Sequence, residues 1–109
     1  MATKKAQRVR LDLNSPEFSP EFLEVFLHLE QTDLAQVAGS LDRIAKLAWS
    51  NVYASKGLHW EAIEHLKAPD GKSQVYSVRL SQKIRGLAFR EGDFMRFISL
   101  QPDHDSACK

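Results

Sequence analysis

Apolar and polar positions first fall into a regular pattern at residues 9–13 (VRLDL), which alternate with the period of two of a half-buried strand. Residues 1–8 are expected to be a frayed, flexible start. SPEFSPEF then writes one four-residue unit twice, too short for a repeat architecture. Its second copy reads as a helix start, with Ser19 as N-cap, Pro20 at the first helical position and Glu21 near the positive end of the helix dipole. The helix is expected to reach about Glu30 behind a stripe of Phe22, Phe26 and Leu29, with Leu23 alongside. Thr32 or Asp33 caps a second helix to about Trp49, in which Leu34, Val37, Ala38, Leu41, Ile44, Ala45 and Ala48 recur at helical spacing. So short a break between the helices predicts an antiparallel helical hairpin.

Residues 51–57 read as a loop, with Gly57 in a left-handed conformation. Residues 59–67 (HWEAIEHLK) read as a short helical turn, and 68–73 (APDGKS) carry turn chemistry. The period then changes: 74–80 (QVYSVRL), 84–90 (IRGLAFR) and 94–101 (FMRFISLQ) are strand-like and joined by short connections such as Glu91-Gly92-Asp93. The order predicts one α+β domain over 1–109, with a short N-terminal strand, a helical hairpin and a three-stranded antiparallel meander whose helices lie on one face. In the last strand Phe94, Ile98 and Leu100 are expected to point one way and Met95 and Phe97 the other. A second apolar face would then need cover from the chain's tail or a partner protein.

Composition adds limits. At 109 residues and 43% hydrophobic, the chain has material for one small core and is too apolar for disorder. No apolar run approaches a membrane span, and the basic start MATKKAQRVR is followed by no apolar signal region. Cys108 is the single cysteine, so no internal disulfide forms; the expected compartment is a reducing cytoplasm. The net charge of +1 conceals an asymmetry. Residues 12–33 hold Asp12, Glu17, Glu21, Glu24, Glu30 and Asp33 and no base. Residues 72–97 hold Lys72, Arg79, Lys83, Arg85, Arg90 and Arg96 against Glu91 and Asp93. A basic C-terminal third suggests an anionic partner; solvated strand arginines are the plain alternative.

Three constellations follow. Residues 33–49 place Ala35 and Gly39 near helix-turn-helix spacing, but the apolar period runs through Gly39 and Ser40 as in one continuous helix. Asp103, His104 and Asp105 suggest a metal, yet consecutive extended residues point to alternate sides and no H-x-x-H or C-x-x-C completes a site; no metal is expected, and a solvated tail accounts for the stretch. Third, His104 after the last strand, Arg85 at the start of the strand before it, Arg79 near the end of the one before that, and Glu61 entering the sheet could share one basic region. A carboxylate, arginines and an acid are what RNA cleavage by 2′-hydroxyl attack needs. Against this, Glu61 also reads as a surface charge, Trp60 as a core anchor, Arg85 as a partner of Glu91 or Asp93, and His28, His59 and His65 as ordinary polar positions.

The segments GLHWEAI and VYSVRLSQKIRGLAFREGDFMRFISLQPDHDSA carry a Gly-x-x-x-Glu loop, a strand ending in Arg-Leu, a further arginine and a histidine after the last strand. In these and in element order, over roughly residues 9–107, the chain resembles the RelE/ParE superfamily of bacterial toxins, nearest its YoeB-like ribosome-dependent mRNA endonucleases. The resemblance implies a RelE-like fold in which Glu61 is the general base, Arg85 the phosphate-stabilising arginine and His104 the general acid. Arg79 would be auxiliary, with Lys83 and Arg90 among the RNA-binding bases. It implies no cofactor, no membrane and no small-molecule substrate, and as partners a cognate antitoxin, the ribosome and mRNA. The chain departs from the pattern at Asp105, where a tyrosine is usual, at Cys108, where an aromatic is expected, and at Glu64, where a lysine is expected. The superfamily also contains gyrase inhibitors, so a non-catalytic binding module is the alternative function; DNA binding through residues 33–49 is a third.

Overall fold

The structure, a computed structural model, describes residues 7–102; Asp103, His104, Asp105 and Cys108 lie outside the described residues. The described chain forms strands β1 (Arg10–Asp12), β2 (Glu61–Lys67), β3 (Gln74–Arg79), β4 (Ile84–Glu91) and β5 (Phe94–Pro102), and helices α1 (Phe22–Leu27), α2 (Gln31–Ala45) and α3 (Trp49–Ala54). The strands build one five-stranded sheet in the order β1-β5-β4-β3-β2, with β1 parallel to β5 and the other pairs antiparallel. The class is α+β, as the pattern predicts, but the expected three-stranded meander is the centre of a wider mixed sheet.

β1 falls within the expected N-terminal strand, whereas β2 is not among the expected strands. Residues 61–67 form a strand rather than the expected helical turn, because Glu61 and Ala62 pair with Ser77 and Tyr76 and, after a bulge, Lys67 pairs with Gln74. Trp60, just before the strand, stacks on Tyr76 with ring centroids 4.5 Å apart. Residues 49–54 are helical rather than loop. Trp49 and Val52 point into the core, and Asn51 Oδ1 accepts the Ala48 N–H. The left-handed residues are His59, Gly71 and Gly92, not Gly57; Gly71 and Gly92 sit in the tight β2–β3 and β4–β5 connections, where positive φ favours glycine.

The repeated SPEF unit divides its work. Ser15 Oγ accepts the N–H groups of Glu17 and Phe18, making a local turn. Ser19 is not the expected N-cap: it is buried, and its hydroxyl donates to the main-chain carbonyl of Phe97. This fastens the start of α1 to β5, where Phe22 meets Phe97 at 5.1 Å between rings. α1 therefore lies chiefly on β5 instead of forming a hairpin with α2. Burying each such phenylalanine stabilises the fold by about 1.5–3 kcal/mol.

Helices cover one face. Phe22, Val37, Leu41, Ile44, Trp49 and Val52 bury there against Val78, Ala88, Met95 and Phe97. In the β4–β5 ladder Leu87 faces Ser99 and Ala88 faces Phe97, so Ile98 has no opposite residue. This bulge reverses the alternation, and Leu100 joins Met95 and Phe97 in the main core while Ile98 turns to the other face, against the expectation that Ile98 and Leu100 share a side. The other face has cover of its own: Phe18 packs edge-on against Phe89 at 5.3 Å, over Val75, Leu87, Ile98 and Ile63. No helix among the described residues is long and apolar enough to cross a membrane.

Candidate nucleic-acid interface

Folding consumes part of the charge asymmetry. Arg96 on β5 donates to Asp12 at 2.6 Å and to Glu91 at 2.5 Å, with its guanidinium over the rings of Phe94 and Phe18. Burial alone would lower the Arg96 pKa, but the hydrogen bonds and charges of Asp12 and Glu91 outweigh it and raise the value. The partner of Glu91 is thus Arg96, not Arg85. Lys83 pairs with Asp33 at 3.4 Å, so this expected RNA-binding base is held by α2. Arg90 lies near the opposite end of β4 from Arg85. Its guanidinium covers the Trp49 ring at 4.3 Å and donates to Tyr53, Gln7 and the Gly92 carbonyl. It is a packing residue, remote along the strand from Arg79 and Arg85.

Arg79 and Arg85 remain. They are direct cross-strand partners in the β3–β4 ladder, which sets their side chains on one face with Cβ atoms about 4.5–5.5 Å apart. Two like charges so placed repel, and among the described residues neither has a carboxylate partner within ion-pair distance. Arg85 Nη1 donates to Ser77 Oγ at 3.3 Å. Arg79 Nε is sealed from solvent with no acceptor among the described residues. A donor in that state costs about 1–3 kcal/mol.

Glu61 completes a row. It pairs across β2–β3 with Ser77, the residue that receives Arg85, so Glu61, Ser77 and Arg85 cross three adjacent strands on one face. Glu61 is well exposed and lies 3.5 Å from His59 Nδ1. His59 holds a left-handed φ of 51°, uncommon for a side-chain-bearing residue and a conformation to which histidine is better suited than most. Neither could be read from the sequence: the pairing of His59 with Glu61 depends on the left-handed turn at His59, and the facing arginines depend on register. His104 lies outside the described residues; the described part of β5 ends at Pro102, paired with Ile84 next to Arg85. Trp60 packs against the main core, with Tyr76 stacked on it and Trp49 edge-on at 5.4 Å, the anchor the sequence suggests.

Chemically, the row offers one exposed carboxylate and two cations with no internal counter-ion, on a rigid sheet face. Among the described residues no three His, Cys, Asp or Glu side chains gather as metal ligands. α2 runs unbroken through Gly39 and Ser40, as its apolar period predicts. No protein-family model, no curated protein and no solved structure matches this chain.

Proposed function

We propose that this protein is a type II toxin, an endoribonuclease of RelE/ParE type that cuts mRNA on the ribosome, with a cognate antitoxin as its protein partner. The observation that carries the reading is the uncompensated Arg79–Arg85 pair facing the same side of the sheet as Glu61. In this reading Glu61 takes the proton from a ribose 2′-hydroxyl, and the oxygen attacks the adjacent phosphorus. Arg85 and Arg79 hold the extra negative charge that develops on the phosphate oxygens. The 5′-oxygen leaves and receives a proton from an acid, a role the sequence resemblance gives to His104. The products are a 2′,3′-cyclic phosphate and a free 5′-hydroxyl.

The test is cell-free translation with primer extension on the mRNA, comparing wild type with Glu61→Gln, Arg85→Ala and His104→Ala. Ribosome-dependent cuts that vanish in the variants support the reading; intact mRNA and normal protein synthesis with the wild type refute it. A second reading, a non-catalytic binding module, draws on α1, where Leu23 and Leu27 stand one turn apart and Leu27 is 64% exposed. In that case Leu27→Asp abolishes the biological effect while His104→Ala does not.

A further inference from the structure

An open cleft of about 760 Å³ lies between α2, the segment 55–58 and the β3–β4 turn. Its lining includes Arg43, Arg79, Ser40, Ser55, Ser81 and Gln82, and contains no aspartate or glutamate. The volume falls in the range of small-ligand sites. Its polar side chains include the Arg43 guanidinium, the hydroxyls of Ser40, Ser55 and Ser81 and the amides of Gln36 and Gln82, all of them able to donate.

Arg43 is set in place by α2 itself. Its Nη2 donates to Ser40 Oγ at 3.0 Å, one turn back on the helix, while the Ser40 hydroxyl donates to the Leu80 carbonyl at 2.5 Å and ties helix to sheet. Gly39 leaves the space beside it open: a Cβ there would stand 3.7 Å from Arg43 Nη1. Among the described residues Arg43 has no carboxylate within ion-pair distance; Asp42 beside it takes Lys46 at 3.1 Å, and Asp33 takes Lys83. Arg79 borders the cleft at the end of β3, where its main-chain N–H donates to the Leu58 carbonyl at 2.7 Å. A cleft of this composition selects a tetrahedral oxyanion with several acceptor oxygens.

We propose that this cleft, centred on Arg43, is a phosphate-binding site distinct from the Glu61–Arg85 row. Its phosphate belongs either to a nucleotide flanking the cut on an RNA strand, which rests on the nuclease reading, or to a free phosphorylated small molecule, which does not.

Calorimetric titration of the full chain with inorganic pyrophosphate, and with a short RNA 2′-O-methylated so that it cannot be cut, tests this. Wild type is compared with Arg43→Gln, Gly39→Asp and Arg85→Gln, each checked by thermal melt. Gly39→Asp sets a carboxylate against Arg43 and should act like Arg43→Gln although the arginine is retained. Both are expected to weaken binding about tenfold, the loss of one charge-assisted contact, and to reduce the salt slope for RNA by about one. Weakening confined to RNA assigns the cleft to the RNA strand. Weakening of pyrophosphate binding, with Arg85→Gln leaving it unchanged, assigns it to a free phosphorylated ligand. If both cleft variants bind both probes as wild type does, or wild type binds neither, the proposal is overturned. Ribosome-dependent cleavage together with unaltered binding by the cleft variants removes the cleft and leaves the nuclease; saturable pyrophosphate binding without cleavage does the reverse.

Discussion

Gly86 is the point at which β4 makes room for the core, and Gly86→Ala is the sharpest test of the packing. A Cβ at position 86 would lie 2.6 Å and 3.0 Å from two ring carbons of Phe97 and 3.1 Å from Leu80 Cδ1. Both neighbours are almost completely buried, and Phe97 is also packed against Phe22, so the ring has nowhere to turn. Gly86 has no positive φ, so the added methyl costs through overlap and not through backbone conformation. Overpacking of this kind costs about 1–3 kcal/mol, and a collision with a fixed ring belongs at the upper end, about 3 kcal/mol. In a domain of this size that lowers Tm by roughly 12 °C. Calorimetry and urea unfolding measure it. Phe97→Leu, destabilising by itself, should recover part of the loss when combined with Gly86→Ala, giving a double-mutant coupling of at least about 0.5 kcal/mol. A Gly86→Ala protein within about 0.5 kcal/mol of wild type, or strict additivity of the pair, would refute the packing argument.

Further outcomes follow from the charged groups. Arg96→Met leaves Asp12, only 9% exposed, without its cation, and should cost about 2 kcal/mol in urea unfolding; the figure is below that of a fully buried pair because Glu91 is half exposed. Adding Asp12→Asn should restore part of it. Arg90→Ala should lower stability by about 1 kcal/mol through loss of its place over Trp49 yet leave mRNA cleavage in the translation assay at the wild-type rate, whereas Arg85→Ala should do the opposite. Asp70 accepts the Ser73 hydroxyl and the Lys72 and Ser73 N–H groups, which hold its pKa below the ordinary 3.8. A depressed folded value means that its contribution to stability is complete above 3.8 and is lost as pH falls through the lowered folded value. The stability difference between wild type and Asp70→Ala should therefore be constant above 3.8 and shrink in more acidic solution; a difference independent of pH would contradict the assignment.

The candidate site was legible in the sequence as residue types but not as a constellation. Glu61, Arg79 and Arg85 stand out in a basic third that also contains Lys83, Arg90 and Arg96, and nothing local separates them. Register does: Arg79 faces Arg85, while Asp12 and Glu91 claim Arg96, Asp33 claims Lys83, and the Trp49 and Tyr53 rings take Arg90. The cleft residue Arg43 carried no such signal, because its position over the sheet depends on Ser40 reaching the Leu80 carbonyl, forty residues away.

By itself the sequence determined what consecutive residues can encode. The strand character of 74–101, the helical period of α2, and the Asp70-Gly71 and Gly92 turns are properties of neighbours; the three strands and the turns formed where the pattern placed them, while α2 spans Gln31–Ala45 and stops short of the expected Trp49, which opens α3 instead. Tertiary structure decided what neighbours cannot. It made 61–67 an edge strand, since that short run acquired a period only on meeting β3. It set β1 parallel to β5, drew Ser19 away from its helix end to a carbonyl of β5, and inserted Ile98 as a bulge that returned Leu100 to the core. In each case the decisive partner lies on another element, for β1 and Ser19 far along the chain, and burying apolar surface together with satisfying main-chain hydrogen bonds outweighs a local preference of at most about 1 kcal/mol.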